Sequence, residues 1–295
     1  MVRGRSRKGR EKISSTYSEQ AEEVFLENDS ALRSMATPPA VDARAYFATY
    51  HGHDPAALRL VASALREGGA AASATAGDAP EPPRKLIWLA GDSSLDNKFW
   101  LRGGVRRTPA CNGEERAFGS AEPLPQDVAH CVNTLLAARA GSSGGGGGGS
   151  SRLACVNAAV EESRLADRAG GRLLPQDEVL RDTLADGDVL VVSVGGNDIA
   201  LSSSLATKAA LVALLGLPLP SCCGALCPPR LGGASDAALE DGSALGLAHL
   251  TRHFGEQTRD YVRALLAGPQ RARPALVVIC MIVGLARAHH RECQR

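Results

Sequence analysis

Three short segments hold the residue types that acyl-transfer chemistry needs. The first is Gly91-Asp92-Ser93-Ser94-Leu95-Asp96-Asn97. Gly91 permits a sharp turn, and Asp92 can brace that turn through its side chain. A Ser93 hydroxyl at the start of a following helix suits attack on a carbonyl, provided a base takes its proton. Taken alone, the segment reads equally well as an Asp/Ser helix cap. The second is Gly195-Gly196-Asn197-Asp198. There Gly196 allows close backbone approach, and the Asn197 amide can donate to a developing oxyanion. An ordinary strand-to-helix turn has the same composition. The third is Asn157-Ala158-Ala159-Val160-Glu161-Glu162, whose two acids also suit a solvated turn.

The elements around these segments give them a common place. Leu86–Ala90, Leu153–Val156, Asp188–Val194 and Ala275–Val283 are short apolar runs, as buried parallel strands require. Between them lie helical patterns at Pro125–Arg139, Pro175–Leu184, Ser204–Leu215 and Leu247–Leu265. In Pro125–Arg139, Val128, Val132 and Leu135-Leu136 make the expected inner face. Asp177 and Glu178 stand where a helix macrodipole favours acids. This alternation predicts an α/β fold, a three-layer α/β/α sandwich on a flavodoxin-like parallel sheet of order 2-1-3-4, with the fifth strand missing. In that order strand one lies between strands two and three. The three segments, each just past a strand, then meet on one rim, a nucleophile beside an oxyanion hole.

In this setting the segments resemble a known family. Gly91-Asp92-Ser93 with Asp96-Asn97 resembles block I of the SGNH (GDSL-like) hydrolases, and Gly196-Asn197-Asp198 resembles block III. Asn157–Ser163 falls where block II belongs, with Glu162 the best match to its usual glycine. Lys98, Trp100 and the run Leu174-Pro175-Gln176-Asp177-Glu178 resemble a eukaryotic subgroup. The resemblance spans roughly Lys85 to Val283 and implies an ester hydrolase without cofactor. Ser93 would attack a small-molecule ester, and the N–H groups of Ser93 and Glu162 with the Asn197 amide would hold the oxyanion. A His, oriented by an Asp three residues before it, would be the base. That last block, Asp-x-x-His, has no match. His289 and His290 follow strand four too early and are preceded at that spacing by Ala286 and Arg287. A carboxylate at Glu162 would oppose an oxyanion. His249 and His253, four residues apart on a helix, read as solvated or core-edge side chains before metal ligands.

Composition bounds the alternatives. A net charge of +1 gives no global pull toward nucleic acid, and no apolar stretch is long enough to span a membrane. Residues 1–40 read as a basic, polar tail, with a helix expected over Ser18–Met35. Residues 41–295 read as the hydrolase-like domain, opening with a helical pattern over Val41–Glu67 and interrupted by a Gly/Ser insert at 141–151. No secretory signal follows the basic run, which points to a cytoplasmic chain, or a nuclear one if that run acts as an address. Cys222, Cys223 and Cys227 lack the paired spacing of a zinc ribbon. Three readings stand: an active esterase, an inactive SGNH-like remnant or binding domain, and an interaction protein using the tail and the Cys loop. The sequence leaves the substrate and oligomeric state open.

Overall fold

The structure is a computed structural model and describes residues 40–67, 83–99, 106–119, 123–142, 151–201, 203–218, 230–231 and 233–280. The expected helix at Ser18–Met35, most of the Gly/Ser insert, the Cys222–Cys227 loop and His289–His290 lie outside them.

The fold begins with α1 (Ala43–Ala48) and α2 (Pro55–Glu67). The single helical pattern expected over Val41–Glu67 is therefore broken. Gly52 takes φ +75, and Pro55 restarts the helix with Asp54 Oδ1 accepting from Ala57 N at 2.9 Å. There follow β1 (Lys85–Gly91), β2 (Arg107–Pro109), α3 (Glu114–Phe118), β3 (Pro123–Pro125) and α4 (Val128–Ser142). Next come β4 (Leu153–Asn157), α5 (Pro175–Thr183), β5 (Val189–Ser193), α6 (Gly196–Ala200) and α7 (Leu205–Leu215). The remainder is β6 (Leu217–Pro218), β7 (Arg230–Leu231), α8 (Asp236–Glu240), α9 (Leu247–Leu250), α10 (Gln257–Leu266) and β8 (Leu276–Cys280). A π-helical stretch, Thr251–Glu256, joins α9 to α10.

The main sheet is parallel, of order β4-β1-β5-β8, which is the expected 2-1-3-4. Alternation along β1 gives the sheet two covered faces. Leu86, Trp88 and Ala90 face one core with Leu58, Val61 and Leu65 of α2, Val179 and Leu180 of α5, and Tyr261 and Leu265 of α10. Leu89, with the partly buried Ile87, meets Ala129 and Val132 of α4 on the other side. That arrangement is a three-layer α/β/α sandwich. Among the described residues β4 and β8 are the sheet's outer strands, and Leu276 and Ile279 of β8 are exposed. No helix of the described residues is long and apolar enough to cross a membrane.

Asp188, just before β5, ties the sheet to α2. Its carboxylate is fully buried and accepts from Arg66 at 2.8 and 3.0 Å, from Leu86 N at 2.9 Å and from the indole N–H of Trp88 at 3.3 Å.

Helix α4 departs from expectation in two ways. It starts at Val128, after the β2–β3 ribbon, with Asp127 capping it through His130 N at 2.8 Å. Val128 and Val132 of the expected inner face do pack on the core, but the most buried positions are Ala129, His130 and Asn133, while Leu135 is 64% exposed. Apolar periodicity rotates part of this face outward because buried polar side chains, His130 and Asn133, share it.

His53, between α1 and α2, stacks on Tyr46 and is 1% exposed. Burial, aided by the charge of Lys98, lowers its pKa from 6.5 to about 3. Between those values the unfolded chain binds a proton that the fold refuses, so stability is full above pH 6.5 and lost as pH falls. Urea unfolding should show this site removing about 2 kcal/mol between pH 7 and pH 5, at ~1.4 kcal/mol per pH unit below 6.5. His53→Phe should flatten that slope. A slope unchanged in the variant would assign the acid sensitivity elsewhere.

Candidate active site

The three segments do converge, and carboxylates fasten them to one another. Strand β1 ends at Gly91, with φ +140, where a Cβ would lie 1.7 Å from the Ser193 carbonyl oxygen. Only glycine lets β1 and β5 run this close. Asp92 then binds both sides of the gap. Its Oδ1 accepts from Ser94 N at 3.0 Å, and its Oδ2 accepts from Gly195 N, past β5, at 3.1 Å. The N–H groups of Leu95 and Asp96 both reach back to Asp92 O at 3.0 Å. Residues 93–95 thus form a turn, not the start of the expected helix. Ser93 is 7% exposed, and its hydroxyl has no hydrogen-bond partner among the described residues.

The segment after β4 is joined to the first by Asp96. The Asp96 carboxylate accepts from Glu161 N at 2.9 Å, from Gly52 N at 3.1 Å, and from Lys98 Nζ at 2.6 and 2.7 Å. Asn157 adds a bond from its amide to Leu95 O at 3.0 Å. Glu162 has φ +61. That left-handed backbone is costly for a side chain and readily adopted by glycine. Its exposed carboxylate accepts from the Tyr50 hydroxyl at 2.9 Å. Glu161, by contrast, is buried.

Gly195, at φ +108, precedes α6, which opens with Gly196 and Asn197. Asn197 is buried and spends one amide hydrogen on Ser163 O at 3.0 Å; the amide carries a second. Asp198 accepts from Leu165 N at 2.6 Å and Ala166 N at 3.1 Å, fastening the third segment to the second. His253, from the π-helical stretch, places Nε2 3.2 Å from Asp198 Oδ1 and is mostly buried. The angle is too poor for a hydrogen bond, so the contact is one of proximity. Its neighbour Phe254 seats against Gly195. On the other flank, His51 sets Nδ1 3.3 Å from Glu161 O.

Sequence reasoning missed the cation beneath this rim. Arg168 is buried and donates to Gly91 O at 3.1 Å, to Ser163 Oγ at 2.9 Å and to Asp177 at 2.8 Å. Tyr261 closes the group with a 2.6 Å bond from its hydroxyl to Asp177 Oδ1. Asp177 is therefore an internal counter-charge as well as the first-turn acid expected in α5, where its carboxylate also accepts from Leu174 N at 3.0 Å. Its only trace in the sequence is the Leu174–Glu178 run.

Comparison with family models, with curated proteins and with solved structures finds no match.

Gly195→Ala should test the rim directly. A Cβ there would sit 2.9 Å from the Phe254 ring at a backbone angle alanine resists. We expect a loss of about 1–3 kcal/mol in urea unfolding. Wild-type stability in this variant would contradict the turn described here.

Proposed function

We propose that the chain is a serine ester hydrolase of the SGNH type, with Ser93 as nucleophile. The observation that carries this reading is the cross-tying of three turns, the first of which carries a serine whose hydroxyl has no hydrogen bond among the described residues. The Ser93 and Glu162 N–H groups, with the second amide hydrogen of Asn197, would receive the oxyanion. Asp92 and Gly196 shape the turns that present them. His253 lies beside Asp198 of the second segment, 3.2 Å from its carboxylate, and an acid-flanked imidazole is the form a general base takes. The ester would be a small molecule, and no cofactor enters the reaction.

One observation favours a second reading. Among the described residues no histidine hydrogen-bonds the Ser93 hydroxyl, as an inactive, ester-binding SGNH-like domain would have it. A fluorophosphonate probe separates the two. Labelling of the folded full chain should vanish in Ser93→Ala and slow by about 10²–10³-fold in Asn197→Ala. In His253→Ala, turnover of p-nitrophenyl acetate should fall by roughly 10²–10⁴-fold. Folded protein that takes no label would leave the binding reading in place. Labelling that survives Ser93→Ala would dismiss Ser93 as the nucleophile.

A further inference from the structure

On the α4 side of the sheet, away from the Ser93 turn, three different donors, from the loop before α3, from α3 and from α4, share one small space. Cys111 Sγ, Glu114 Oε2 and His130 Nδ1 all lie within 4.8 Å of one another. Glu114 and His130 are buried, and Cys111 is half-buried. The Glu114–His130 distance is 2.7 Å and the Glu114–Cys111 distance is 3.7 Å.

The surroundings hold these donors in place. The loop reaches α3 through two left-handed residues, Asn112 at φ +53 and Gly113 at φ +94. The Asn112 amide is bonded to Asn133 and to Leu153 O. Asn133 in turn donates to Glu114 Oε1 at 2.8 Å, which leaves Oε2 facing the thiol and the imidazole. His130 Nε2 is 2.6 Å from the Thr108 hydroxyl. An imidazole ligand characteristically has its second nitrogen fixed by such a partner.

Two further facts point to a ligand. Glu114 and Asp127 are both buried; Glu114 Oε2 is paired with His130 at 2.7 Å and accepts from Cys111 N at 3.1 Å, Asp127 accepts from His130 N, and among the described residues neither has a Lys or Arg against it. Buried carboxylates ordinarily have a cation against them. A cavity of about 20 Å³, room for one water molecule, also borders Glu114, His130, Asp127 and His53. The buried Nε2 of His53 has no hydrogen-bond partner among the described residues.

We propose that Cys111 Sγ, Glu114 Oε2 and His130 Nδ1 bind a divalent transition-metal ion of the zinc type, with a water in the adjoining cavity as fourth ligand. Thiolate and carboxylate together balance the double charge, and mixed S, N and O donors suit Zn²⁺ over Mg²⁺ or Ca²⁺. Tetrahedral ligands stand roughly 3.4–3.6 Å apart, given metal–ligand bonds of about 2.0–2.3 Å. The sulfur–carboxylate spacing is already close to this, and the His130–Glu114 pair opens by less than about 1 Å. Binding releases the thiol proton to solvent, because the thiolate is the form that ligates.

The test uses the purified full chain after treatment with a chelator. Titration with Co²⁺ should give one equivalent bound, with tetrahedral visible bands and a sulfur-to-metal charge-transfer band, all displaced by Zn²⁺. Cys111→Ser should abolish the charge-transfer band and weaken Zn²⁺ binding by roughly 100-fold or more, while Cys131→Ser leaves both intact. X-ray absorption of the Zn²⁺-loaded wild type, which needs no variant, should show a single sulfur around the metal. Absence of stoichiometric binding would overturn the proposal and leave Thr108, His130 and Glu114 as a hydrogen-bonded prop for α4. Two or more sulfurs, or a band that persists in Cys111→Ser, would also overturn it by placing the ion on other cysteines.

Discussion

The carbonyl oxygen of Gly91 is where the rim of this sheet is fastened. It accepts hydrogen bonds from Val160 N, from the Ser163 hydroxyl and from the Arg168 guanidinium. Arg168 can be buried there because Asp177 neutralises it and Tyr261 stacks on it. The next residue, Asp92, spans to Gly195, and Asp96 spans to Glu161 and Gly52. The turns after β1, β4 and β5 are therefore one hydrogen-bonded object. Its stiffness comes from charge-assisted bonds in a low-dielectric setting, where each is stronger than in water and costly to break singly. A hydroxyl standing at such a place is held by the backbone around it rather than by bonds of its own.

The strands and their order were legible because each is a continuous apolar run, and a parallel sheet leaves little choice of connection. The glycines at 91 and 195 and the acids at 92, 96 and 198 were legible as turn formers. What they bind was not, since Asp92 and Gly195 are far apart in the chain. Arg168 was invisible for the same reason. Its partners Gly91, Asp177 and Tyr261 belong to three different elements, and nothing in the sequence marks an arginine as buried. Helix α4 was legible as a helix and misread as to part of its face. Leu135 and Leu136 suggested an apolar stripe, while His130 and Asn133 in fact turn inward, because Glu114 and the strand β4 backbone offer them partners. Asp54-Pro55 was a readable start signal for α2 that the longer helical pattern concealed.

The two faces of the sheet differ in kind. The α2–α5–α10 face is large and apolar, with Trp88, Leu190 and Leu265 buried there, each worth about 1.5–3 kcal/mol or more. The α4 face is thinner, and a polar cluster takes up much of its interior. Stability rests chiefly on the first face.

The strand order also decides when the protein can be made. β1 is synthesised first among the four main strands, yet it lies inside the sheet, between β4 and β5. A ribosome must deliver everything through β5 before β1 has both neighbours, and through α10 before Tyr261 can reach Asp177. Until then the run Leu86–Ala90 is an apolar segment without its sheet, the kind of exposed surface that slow, non-local folds present to chaperones. The position that makes the Ser93 turn central to the finished molecule makes its strand the longest unprotected in the growing one.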